Sequence, residues 1–74
     1  MFNNVILIGR LTKDPEIKSI DEATKVCNFL LAVTRPFRNT AGEYDTDFIP
    51  ISLWHATAVN ASLYCEKGDL VCIK

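Results

Sequence analysis

A chain of 74 residues leaves room for one domain, which at this size buries only roughly 60% of the surface its unfolded form exposes. Hydrophobic residues at 49% and charged residues at 23% exclude a disordered polar tail. The formal net charge of −1 counts against a uniformly basic nucleic-acid coat, so a polyanionic partner has to be met by a local arrangement of cations.

The N-terminal stretch carries an apolar run, Val5 to Ile8, with no basic segment before it and Gly9-Arg10 directly after. It is too short for a secretion signal or a membrane span, so a cytoplasmic location is expected. Val5 to Leu11 is β-branched and aliphatic and predicts a strand. Asp14-Pro15 ends it, and the polar residues 16–25 suit a loop or a short irregular strand.

A second strand is predicted from Val26 to Thr34, with Cys27, Phe29, Leu31 and Val33 on its more apolar face. Arg35-Pro36-Phe37-Arg38 then leads into a loop, Asn39 to Gly42, whose glycine suits a positive φ. The third strand, Asp47 to His55, alternates clearly. Ile49, Ile51 and Leu53 take one face; Phe48, Pro50, Ser52 and Trp54 take the other. Pro50 cannot donate to a ladder and predicts an edge position or a bulge. Ala56 to Cys65 has helical spacing, with Thr57 as a candidate N-cap and Gly68 near the expected stop. Leu70 to Ile73 begins a fourth strand.

The order strand, strand, strand, helix, strand is that of an all-β, Greek-key OB barrel, with its one short helix between strands three and four. The fifth strand of that plan is missing, so residues 1–74 are expected to form an incomplete barrel.

Five segments then carry a resemblance: 4–11 (NVILIGRL), 13–16 (KDPE), 28–33 (NFLLAV), 47–49 (DFI) and 64–68 (YCEKG). In order and spacing they resemble bacterial single-stranded DNA-binding proteins, across essentially the whole chain. The resemblance implies an OB-fold subunit that assembles into homotetramers, and with the open edges of an unfinished barrel a homodimer or homotetramer is expected. It also implies that such a subunit coats single-stranded DNA, with little sequence preference, during replication, recombination and repair. Family members continue through a further hairpin, a fifth strand and a tail with an acidic tip that recruits partners. Tail-mediated replication and repair partners are therefore not expected for these 74 residues.

Matched by position, Phe37, Phe48 and Trp54 fall at base-stacking aromatics of the family, and Arg10, Lys18 and Lys67 at basic or DNA-facing positions. Arg35 and Arg38 flank Phe37 and suit phosphate contacts on their local chemistry. Pro50 departs from the polar residue usual at its position. Every base has a π-face, so an aromatic ring can hold any base without reading it. Such stacks are worth roughly 1–3 kcal/mol each, a range measured on single-strand binders that include this family. Three would give roughly 3–9 kcal/mol before ordering costs, against about 8 kcal/mol for micromolar affinity. Several subunits on one strand would add avidity.

Other readings compete. Phe48 and Trp54 could pack in a core, as Phe29 and Phe2 are expected to, or Phe2 could serve a subunit contact. The charges of Lys13, Glu16 and Glu22 suit a solvated face. Cys27, Cys65, Cys72 and His55 have the ligand count of a zinc site but no CxxC spacing, and reduced thiols are expected instead. No nucleophile with a plausible base and no phosphate loop is present, so neither an enzyme, a cofactor nor a small-molecule substrate is expected. The rival from another class is an OB-type interaction or primosomal module with weak or lost DNA binding.

Overall fold

Two long runs of strand-forming residues set the architecture, β3 (Lys25–Arg38) and β4 (Tyr44–Trp54), which pair antiparallel as one hairpin. The computed structural model describes residues 3–74, so the role expected for Phe2 lies outside the described residues. The remaining elements are β1 (Leu7–Leu11), β2 (Ile17–Ser19), the helix α1 (His55–Tyr64) and β5 (Leu70–Ile73). The sheet runs β2-β3-β1-β5, and β4 pairs with the other edge of β3. Its long axis is 50 Å because the hairpin projects beyond the core.

Alternation decides which side chains go inside. Cys27, Phe29 and Leu31 of β3 are buried with Leu11 and Ala58, and Leu7, Val33, Ile51, Leu53 and Val71 pack against them. Leu31 and Cys27 are fully enclosed. The helix closes one end of this core with Ala58, its one fully buried residue. Gly9 is required where β1 approaches β3, because a Cβ there would run into the Ala32 carbonyl oxygen and sit 3.0 Å from Leu31 and Val33 side-chain atoms.

Several boundaries differ from expectation. β1 begins at Leu7, and Val5 and Ile6 lie exposed before it. The stretch 16–25 does contain a short strand, β2, which pairs with residues 25–27 of β3. β3 runs on through Arg38, so Phe37 stands on a strand and not in a loop. That extension is possible because β4 reaches back to Tyr44 and supplies partners, at the cost of a register shift between Thr34 and Arg38. The helix starts one residue early, with Trp54 in the cap position and no side-chain cap bond. Thr57 lies inside the first turn and caps nothing. Chain reversal from β4 into α1 is made at His55, whose φ of 54° is left-handed. Gly68 (φ 91°) belongs to the Glu66–Asp69 turn and not to the helix end, which comes at Tyr64.

Pro50 sits in unbroken register opposite Leu30. Of the two options a proline left open, the edge applies, since among the described residues β4 pairs with β3 alone and its far side has no ladder to interrupt. β5 likewise pairs with β1 alone among the described residues, so the sheet curls without closing.

Candidate nucleic-acid interface

The face of the sheet away from the core is built from alternate residues of β3 and β4. Residues directly opposite each other in register share a face, and two cross-strand rows organise this one. The first is Lys18, Val26 and Trp54, across β2, β3 and β4. The second is Leu70, Arg10, Ala32 and Phe48, across β5, β1, β3 and β4. Each row ends in an aromatic ring and holds one cation. Phe48 is 60% exposed and Trp54 48%, so the packed-core alternative does not apply to either ring.

Between the rows the surface is small and polar. Asn28 faces Ser52, whose hydroxyl donates to the Asn28 side-chain oxygen at 2.6 Å, and Leu30 faces Pro50. A shallow hollow of about 360 Å³ lies here, bordered by Thr12, Lys13, Asn28, Leu30, Pro50 and Ser52. A second, of about 300 Å³, lies beside Arg10, Ala32, Thr34 and Leu70. Across the five outward-facing pairs of β3 and β4, from Val26–Trp54 to Thr34–Thr46, there is no carboxylate. The face can therefore meet an anion although the chain as a whole is slightly acidic.

Basic residues divide into two groups. Arg10 donates to the Gly68 carbonyl at 2.9 Å, which brings it to the same turn as Lys67 and leaves most of its guanidinium donors unspent. That turn is docked firmly: Gly68 N–H donates to Leu11 O, Leu11 N–H to Asp69 O, and Lys67 N–H to Asp14 Oδ1. Arg10, Lys18, Arg38 and Lys67 have no carboxylate within ion-pair distance among the described residues. Arg35 is different. Its Nε and Nη2 donate to the two oxygens of Asp47 at 3.0 and 2.9 Å, and Asp45 lies 3.8 Å away. This intramolecular pair pins the hairpin and engages donors of the arginine that the sequence reading assigned to phosphate. The pair also holds the Asp47 carboxyl below its usual range, chiefly through the Arg35 hydrogen bond.

Phe37, 61% exposed, lies within the register shift between Thr34 and Arg38, and Arg38 ends it near the hairpin tip. The tip contains an aromatic that sequence reasoning missed. Tyr44 pairs with Arg38, is 53% exposed, and receives the Arg38 guanidinium over its ring at 5.3 Å from the centroid. Its even position, shared with Phe48 and Trp54, would have been the signal had the strand been started at 44 instead of 47.

The thiols do not converge. Cys27 is buried, and burial pushes its thiol pKa up, whereas Cys72 is exposed. Among the described residues no group of three or more His, Cys, Asp or Glu side chains is placed to hold a metal ion. No helix there is long and apolar enough to cross a membrane.

This geometry agrees with comparison to known proteins. The model of the single-strand binding protein family matches residues 2–74. The chain belongs to that family. It is 48% identical over 71 residues to single-stranded DNA-binding protein B of Bacillus subtilis, covering 96% of this chain and 63% of the relative. It is 50% identical over 70 residues to single-stranded DNA-binding protein 1 of Clostridium acetobutylicum, covering 93% of this chain and 64% of that one. With the single-stranded DNA-binding protein of Halalkalibacterium halodurans it shares 47% identity over 70 residues, covering 95% and 42%. The chain thus spans less than two thirds of the length of these family members. The family implies an OB fold, with which the curled sheet and single helix agree.

Proposed function

We propose that this chain binds single-stranded DNA without sequence preference, on the outer face of β3 and β4. Bases stack on Phe48 and Trp54 of that face and on Phe37 in the irregular stretch of β3 near the tip, while Arg10, Lys18, Arg38 and Lys67 meet phosphates. The observation that carries the reading is the pair of cross-strand rows, each bearing an exposed ring and a cation on a face without carboxylates. The printed names of the relatives support it. The role that follows is protection of single strands during replication, recombination and repair in the cytoplasm. The working form is a homodimer or homotetramer, favoured by the open edges of β4 and β5 and by exposed Ile8 and Leu70 on neighbouring strands.

Fluorescence titration of Trp54 with oligo(dT) tests this directly, since no other tryptophan is present. Saturable quenching is expected. The affinity should fall with salt at a log–log slope of roughly −0.7 per phosphate contact, about −3 for four cations. Absence of quenching at high micromolar strand refutes the reading and favours an interaction module. The apolar groove of about 350 Å³ between α1 and β5 would then be the surface to pursue.

A further inference from the structure

We infer that Tyr44 and Arg38 form an additional nucleotide position at the tip of the β3–β4 hairpin, with a base stacked on the tyrosine ring and its phosphate held by the arginine. The inference rests on the single-strand reading above and extends it along the strand.

Three observations carry it. First, β4 continues its alternation back to Tyr44, so Tyr44, Phe48 and Trp54 lie on one strand face. At about 3.4 Å per residue, Tyr44 stands roughly 14 Å beyond Phe48, on the side opposite Trp54. The line of rings then runs the whole length of the hairpin.

Second, the ring is exposed yet held. The Arg38 guanidinium lies within cation–π range of one side, at 5.3 Å, and the two residues are register partners. Less side-chain freedom remains to be lost when a base arrives. Arginine can keep its stack on the ring while its N–H groups turn to a phosphate.

Third, the tip is rigid and much of its negative charge is drawn away. Asn39 accepts from the Ala41 and Glu43 amides at 2.9 and 3.0 Å and donates to Asp45 at 3.0 Å. Gly42, at φ 81°, completes the turn. Asp45 and Asp47 are engaged by Arg35, and their odd positions set them on the face opposite Tyr44. Among the described residues the Glu43 carboxylate has no ion-pair partner and Arg38 has no carboxylate within ion-pair distance.

The test compares two thymidine strands, about 5 and about 16 nucleotides long, near the limits an OB fold covers. Trp54 quenching is read for the parent chain and for Tyr44→Leu, Tyr44→Phe and Arg38→Gln. For Tyr44→Leu we expect a roughly 5- to 150-fold loss of affinity on the long strand and no change on the short one. Tyr44→Phe should keep parent affinity on both, because the ring and not the hydroxyl does the binding. Arg38→Gln should weaken the long strand and reduce its salt slope by about 0.7. Equal affinity of Tyr44→Leu and parent for the long strand overturns the inference and leaves the wider reading intact. So does an equal loss on both strands, which would assign Tyr44 a structural role. A parent chain that quenches with neither strand overturns both.

Discussion

Trp54 and Phe48 end their cross-strand rows about half exposed to solvent, at 48% and 60%, and a cation sits in each row. Replacing Phe48 by leucine keeps apolar bulk but removes the π-face. The expected loss is about 1–3 kcal/mol of strand affinity, read by the Trp54 titration, with the thermal midpoint little changed. Asp47 shows how a single carboxylate can serve the fold while sparing the binding face. Its pKa is lowered by Arg35, so the stabilisation is complete above the ordinary carboxylate pKa of 3.8. It is lost as pH falls through the lower folded value. Following Arg35 side-chain resonances by NMR should show the pair intact from neutral pH to about 4 and opening only below. Asp47→Asn should abolish that acid transition. That Phe48 and Trp54 share the strand face opposite Ile49, Ile51 and Leu53 was legible from alternation, whereas their stacking role came only with the family resemblance. The pairing of Arg35 was not legible, because its partner lies across a hairpin whose register is set by a shift that no local pattern reveals.

The strands and helix impose constraints of their own. β1 contributes only two register pairs to β3, at Arg10 and Leu11, and they hold only while Gly9 lets the backbones approach. Gly9→Ala puts a methyl group against the Ala32 carbonyl, and that backbone oxygen cannot swing aside as a flexible side-chain end could. A loss of about 1–3 kcal/mol is expected in a urea titration, as for other overpacked cores. Arg10 would shift with the strand, so DNA affinity should fall as well. The order of strands and helix was readable because 26–34 is a short apolar run and 47–55 alternates clearly. The extension of both strands towards the tip was not, since Arg35-Pro36-Phe37-Arg38 carries a proline and two charges that argue for a loop. Pairing overrode that local preference. The helix start was misjudged for a related reason: Thr57 is a good cap by type, but the turn at His55 fixes where the helix begins.

The whole molecule is an open, curled sheet with one small core. At roughly 0.05–0.15 kcal/mol per residue, a domain of this size has a total stability of about 4–11 kcal/mol. Leu31→Ala, at a fully buried position, would remove about 2–5 kcal/mol of that. Unpaired edges on β4 and β5, with exposed Ile8, Leu70, Val5 and Ile6, give association a clear route to added stability. Sedimentation velocity should show a dimer or tetramer whose thermal midpoint rises with protein concentration. A monodisperse monomer would contradict this expectation.

The pairing of β1 with β5 sets Leu7 opposite Ile73, so nearly the whole chain is enclosed between two neighbouring residues. Closing so long a loop costs configurational entropy that grows with its length, and the β1–β5 contacts offset it only once β5 arrives. The β3–β4 hairpin, local in sequence, can assemble first and present the aromatic row before β1 and β5 have met. Refolding should therefore be paced by the joining of β1 and β5. Linking β5 to β1 by a short peptide and opening the chain at the hairpin tip would exchange a distant encounter for a local one. The slow step would then move to the aromatic hairpin itself.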